Sequence, residues 1–118
     1  MPQKTATELI DEAKSRIRQV TAAEAMADDN PNLVYLDCRE PQEWNLGHIP
    51  GAVFIPRGNL ETKIEAAIPR DKSVVIYCAS GNRSAFAADT MQQMGYTDVA
   101  SMVGGIRGWV DAGGEVES

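Results

Sequence analysis

The segment Val74-Val75-Ile76-Tyr77-Cys78-Ala79-Ser80-Gly81-Asn82-Arg83-Ser84-Ala85 decides the fold. Its first four residues are apolar without alternation, which predicts a strand covered on both faces. The strand ends at a cysteine and a tight Ser-Gly-Asn turn follows. A helical pattern then opens near Ser84 and runs to Met94, with Gly95 as its C-cap.

The same alternation extends outward in both directions. Leu33-Val34-Tyr35-Leu36 and Val53-Phe54-Ile55 read as further buried strands, Val99 to Met102 as a weaker one, and Ile17 to Val20 as a short one near the start. Helical patterns fall between them. Leu60 to Ala67 is one; Ala22 to Ala27 is another, headed by a capping box of Thr21 and Glu24. The first sixteen residues read as an amphipathic helix, with Leu9, Ile10, Ala13 and Ile17 at helical spacing and a capping box of Thr5 and Glu8. Gly104-Gly105-Ile106 through Trp109 reads as a loop leading into a last helix. Strands alternating with helices imply a parallel sheet covered on both sides.

Composition sets the remaining bounds. A chain of 118 residues with 43% apolar residues fits one domain with one modest core. With 11 Lys+Arg against 17 Asp+Glu the net charge is −6, which repels nucleic acid and anionic lipid, so neither is expected as a partner. Any anion must instead meet a local set of donors. Two cysteines, Cys38 and Cys78, make no disulfide framework and fit a reducing compartment. The opening residues lack an apolar run for a signal peptide and no segment is fit to span a membrane, so the expected location is the cytoplasm.

In open parallel α/β sheets ligands bind beyond the carboxyl ends of the strands, and Cys78 stands there. The N–H groups of a tight loop can converge as an anion-binding nest, and a helix N-terminus adds its positive dipole end. A cysteine so placed has a lowered pKa and is nucleophilic as the thiolate, with no general base required. The same donors would hold the charge of a persulfide. The plainer alternative is that Cys78 is a small buried apolar residue ending a strand.

Three blocks of the sequence resemble the rhodanese family. Cys78-Ala79-Ser80-Gly81-Asn82-Arg83-Ser84 is similar to that family's active-site loop. Leu36-Asp37-Cys38-Arg39-Glu40, Glu43-Trp44 and Gly47-His48-Ile49-Pro50-Gly51-Ala52 are similar to its first signature, and Gly104-Gly105-Ile106 with Trp109 to its closing one. The resemblance spans about residues 17 to 113. It divides the chain into an N-terminal helical extension, residues 1–16, and a rhodanese domain, residues 17–118.

The resemblance implies an open parallel five-stranded sheet with helices on both faces. It also implies a sulfurtransferase that takes a sulfane sulfur from a small donor such as thiosulfate and passes it to a thiol or cyanide, or to a protein acceptor. By position Cys78 matches the sulfur carrier, and Ala79, Ser80, Gly81, Asn82 and Arg83 match the surrounding loop. Arg83 is the candidate positive charge for an anionic donor, and Arg57, at another strand end, is either a second such contact at the pocket edge or a solvated surface charge. Many thiosulfate-using members carry a basic residue where this chain has Ala79, which leaves the preferred donor open. No cofactor or metal is expected, and the five methionines show no cofactor pattern.

The remaining candidates have plainer roles. Cys38 is read as a packed core residue ahead of a resolving thiol for Cys78. His48 is read as a turn residue bonding to backbone, ahead of a Cys–His hydrolase partner. Asp37 and Arg39 are read as an ion pair or hydrogen bonds fixing neighbouring loops, ahead of acid–base groups, and Trp44 and Trp109 as packing residues. Two rival functions remain. A phosphatase of the same fold would resemble Cys-x-x-x-x-x-Arg, whereas four residues separate Cys78 from Arg83 here. A catalytically silent partner-binding module would often lack the loop cysteine, which this chain has.

Overall fold

The computed structural model describes residues 3–118. In chain order the elements are α1 (Ala6–Ser15), β1 (Arg18–Val20), α2 (Ala22–Ala27), β2 (Leu33–Asp37), α3 (Pro41–Leu46), β3 (Val53–Phe54), a 3-10 turn (Arg57–Asn59), α4 (Leu60–Ala67), β4 (Ser73–Tyr77), α5 (Asn82–Gln93), β5 (Val99–Met102) and α6 (Gly105–Asp111). The five strands form one parallel sheet in the order β1-β5-β4-β2-β3. This is the expected α/β architecture. No helix among the described residues is long and apolar enough to cross a membrane.

Position in the sheet decides how buried each strand is. β4 is central and all five of its residues are buried; β5 beside it is also fully buried. β3 and β1 are the edges. Val53 and Phe54 are therefore only half-buried, short of the full burial expected, and Arg18 and Gln19 of β1 are exposed. Alternate side chains of the central strands feed two cores. Leu36, Val74 and Ile76 pack with Leu60, Ile64, Ala87, Ala88 and Met91 beneath α4 and α5. Val75, Tyr77 and Met102 pack with Ala22, Ala25 and Trp109 beneath α2 and α6.

The capping boxes form as read. Glu8 N donates to Thr5 Oγ1 at 3.1 Å and Thr5 N to Glu8 Oε1 at 3.1 Å; Thr21 and Glu24 repeat the exchange at 3.1 and 2.8 Å. α1 lies against α5, with Ala13 fully buried and Arg16 bidentate to Asp89 at 3.0 and 2.9 Å. Residues 1–2, part of the predicted first helix, lie outside the described residues.

α3 is an element the sequence reading missed. Pro41 opens it, where a missing N–H costs nothing, and Glu40 N donates to Glu43 Oε1 at 3.0 Å. Its neighbourhood is pinned by a buried pair. Arg39 is 5% exposed and Asp37 0%; the guanidinium meets both carboxylate oxygens at 2.7–3.1 Å and donates on to Gly47 O at 2.6 Å. The pair thus ties the end of β2 to the turn after α3, as expected of it. His48 continues the same turn. Its ring lies 3.4 Å from that of Trp44, nearly parallel, its Nδ1 is 3.1 Å from Trp44 O, and its backbone bridges to Glu117 at 2.8 and 2.9 Å.

Candidate functional site

β2 and β4 are neighbours whose onward connections leave in opposite directions, to β3 and to β5. Such a divergence opens a crevice at the carboxyl ends of the strands. Cys78 stands there, one residue past β4, and is 1% exposed.

The helix that follows lacks an ordinary cap. Gly81 occupies the N-cap position of α5 in the left-handed region, φ +111°, and no side chain there accepts from the first-turn amides. Those amides need an acceptor, and the Cys78 sulfur takes that place. Gly81 N lies 3.1 Å and Ser84 N 3.4 Å from Cys78 Sγ. The Ser84 hydroxyl lies 3.5 Å away and is backed by Ser101 Oγ at 2.8 Å. With Cys78 as the thiolate, Ser101 can donate to Ser84 and Ser84 to sulfur.

The Cys38 thiol beside Cys78 lowers its pKa most. Burial opposes this, but the Ser84 hydroxyl and the Ser84 and Gly81 amides add to the lowering, and the thiol comes down to about 4. Cys38 is pushed up in turn, first by donating toward Cys78 and then by burial. Its sulfur also donates to Tyr77 O at 3.5 Å. Cys78 is thus built as the anion and Cys38 as the neutral thiol.

Of the other loop residues, Ala79, Ser80 and Asn82 are exposed at the rim. Arg83 is half-buried and bidentate to Glu43 of α3 at 2.8 and 3.0 Å. This hydrogen-bonded pair holds the Glu43 carboxyl down at about 2 and raises Arg83. Arg57 donates to Glu61 at 3.0 Å and to Thr90 of α5 at 3.2 Å, and Cys78 is not among its bonded partners. Ser84 and Glu43 stand in the quoted motifs, but sequence reasoning assigned neither a role at the site. Ser84 is visible in hindsight as the third residue of α5, whereas Glu43 meets Arg83 across 40 positions, which local pattern does not reveal.

The loop is braced from behind. Ile106 N donates to Cys78 O at 2.9 Å, and Gly105, at φ +56°, lies so close that a Cβ there would be 2.3 Å from Cys78 O and 2.6 Å from Ala79 O. The stretch Gly104 to Trp109, read as a loop leading into the last helix, is instead that helix itself: Gly104 caps it and α6 begins at Gly105. A cleft of about 350 Å³ opens nearby, lined by Arg39, Leu46, Ile106, Val110 and Val116. Cys78 does not line it, so the sulfur's own site is the tight cup of the loop.

A family model described as Rhodanese-like domain matches residues 19–112. The chain belongs to the rhodanese-like family. Among related rhodanese-like proteins, a protein of Allochromatium vinosum named Sulfurtransferase is 38% identical over 85 residues, covering 72% of this chain and 78% of that one. The Saccharomyces cerevisiae Thiosulfate:glutathione sulfurtransferase is 32% identical over 98 residues, covering 73% and 70%. A solved structure from Rhodopseudomonas palustris, a protein of unknown function described as a possible tyrosine phosphatase, is 40% identical with a TM-score of 0.87, covering 99% of both chains. That likeness therefore takes in α1 as well. Other curated relatives are longer; the chain spans 21% of one and 44% of another.

The brace yields a prediction. Gly105→Ala adds a Cβ against the Cys78–Ala79 backbone at a positive φ, and should cost roughly 2 kcal/mol or more of stability. By displacing the loop it should also lower any turnover that runs through Cys78 about a hundredfold. Gly113→Ala, at φ +91° with nothing within 4 Å, should cost stability alone. Urea melts and turnover measured on both variants check this; equal turnover in the two would show that the loop tolerates displacement.

Proposed function

We propose that the protein moves a sulfane sulfur from a small donor such as thiosulfate to a thiol or cyanide through a persulfide on Cys78. The observation that carries this reading is the convergence of the Gly81 amide, the Ser84 amide and the Ser84 hydroxyl on one buried sulfur. The Cys78 thiolate attacks the outer sulfur of thiosulfate; the S–S bond of the donor breaks and sulfite leaves with the electron pair. The acceptor anion then attacks the terminal sulfur, giving a persulfide of the thiol or thiocyanate, and Cys78 returns as the thiolate. The loop donors stabilise the negative charge that persists through both steps. A protein acceptor of the sulfur fits the same chemistry. The two unpaired cysteines suit a reducing compartment such as the cytoplasm.

Phosphatase chemistry is the second reading, prompted by the description of the Rhodopseudomonas neighbour. It would need several donors spread around a tetrahedral oxyanion. Here the direct donors meet on a single atom, and both terminal nitrogens of Arg83 are bonded to Glu43.

The test is intact-mass and rate measurement on Cys78 variants. Cys78→Ala and Cys78→Ser should fold, take up no sulfur from thiosulfate and lose at least about 10³-fold in transfer rate, since neither can form the persulfide. Substantial transfer by either, or robust hydrolysis of aryl phosphates by the natural protein without added sulfur, would contradict the reading.

The Glu43–Arg83 pair gives a further expectation. With Arg83 neutralised and Ala79 uncharged, the cup offers a free dianion little positive charge. Glu43→Gln removes the negative partner and should lower the KM for thiosulfate roughly three- to tenfold, the scale of one partly screened charge. Arg83→Ala in the same background should reverse the gain. An unchanged KM in Glu43→Gln would show that Arg83 does not reach the donor.

A further inference from the structure

The ladder between β2 and β4 runs in register from Leu33↔Ser73 to Asp37↔Tyr77. A cysteine follows each strand, and one more hydrogen bond joins the two ends, Cys38 N donating to Tyr77 O at 3.1 Å, before the Cys38 carbonyl turns away to accept from Arg57 N at 3.1 Å. Partners in register on neighbouring parallel strands stand about 4.8 Å apart and point to the same face. That spacing lies within the Cα separation of about 4.4–6.8 Å that a disulfide accepts. Cys38 and Cys78 belong to the same core beneath α4 and α5, at 0% and 1% exposure, and both are free thiols. The two transfer steps form no bond to Cys38.

We propose that Cys38 discharges the Cys78 persulfide when no acceptor arrives, releasing hydrosulfide and closing a Cys38–Cys78 disulfide. This rests on the persulfide reading above. Cys38 Sγ attacks Cys78 Sγ, and the bond from Cys78 Sγ to the terminal sulfur breaks. The terminal sulfur leaves with the bonding pair and takes up the Cys38 proton, so that Cys78–S–S⁻ and Cys38–SH become Cys78–S–S–Cys38 and HS⁻. Electrons balance without an outside oxidant: the sulfane sulfur is reduced and the cysteine pair is oxidised. While Cys78 is a bare thiolate, its charge keeps the Cys38 proton in place and Cys38 inert. Once the charge has moved to the terminal sulfur, that restraint weakens and the proton has a destination. The resulting disulfide silences Cys78 until a thiol reductant reopens it, which makes the loaded protein a self-limiting source of hydrosulfide.

The experiment incubates the reduced full chain, freed of reductant and oxygen, with thiosulfate alone. Intact mass and released hydrosulfide are followed over time in the natural protein, Cys38→Ala and the near-isosteric Cys38→Ser, with circular dichroism confirming that each is folded. The natural protein should end two hydrogens lighter than its reduced form, with tryptic peptides 19–39 and 73–83 linked, and should release about one hydrosulfide per chain. Both variants should retain one added sulfur and release at least about tenfold less hydrosulfide. A natural protein that keeps its added sulfur as long as the variants do, or variants that release as much hydrosulfide, would overturn the inference while leaving the persulfide reading intact. A natural protein that at no time gains sulfur or releases hydrosulfide, with Cys38→Ser equally unloaded, would instead bring down the persulfide reading and this inference with it.

Discussion

The site depends on one unmet requirement: the first-turn amides of α5 need an acceptor, and the N-cap residue, Gly81, has no side chain to offer. The sulfur of Cys78 fills the gap. β4 is buried along its whole length, so the chain must leave it sharply, and the left-handed Gly81 allows that turn. The turn brings the amides of Gly81 and Ser84 back over the residue that ended the strand. A neutral thiol would satisfy them weakly; a thiolate satisfies them well and is thereby favoured.

The surroundings serve the same arrangement. Gly105 lets α6 press on the carbonyl side of the loop, where any Cβ would collide with it. The Asp37–Arg39 pair fixes the end of β2, and with it the position of Cys38 beside Cys78. Removing one member would strand a buried charge, a loss of roughly 3–5 kcal/mol. Electrostatically the cup is nearly self-contained: its strongest cation, Arg83, is spent on Glu43. The sulfur is stabilised by dipoles and hydrogen bonds, which would suit the one-atom shift of charge in the proposed transfer.

Most of the architecture was legible because its elements announce themselves locally. Apolar runs mark the strands, and Thr21 with Glu24 marks α2 to the residue. What was missed follows from the same logic. α3 is six residues long, exposes most of its length and starts from Glu40 in place of the usual Ser, Thr, Asp or Asn, so only Pro41 and the Glu40–Glu43 exchange betray it. α5 begins at Asn82, two residues ahead of the start read near Ser84, because the sulfur cap lies outside any local capping pattern. At the site, the end of a strand at Cys78 and the turn at Gly81 could be read directly. The proximity of Cys38 to Cys78 was open only as the lesser reading, and the Glu43–Arg83 pair could not be read, since it is set by packing between distant segments.

The central claim is that the fold holds Cys78 as a thiolate and Cys38 as a thiol, and the thiolate ultraviolet absorbance tests it most directly. Because the folded pKa of Cys78 lies at about 4, well below the ordinary thiol value of about 8.5, the natural protein should show one thiolate per chain at neutral pH. That signal should persist as pH falls and disappear only as pH approaches about 4, and it should be absent from Cys78→Ala. Cys38, raised from its ordinary value, should contribute nothing across that range. A natural protein with no thiolate at neutral pH, whose absorbance appears only as pH rises through about 8.5, would contradict the account.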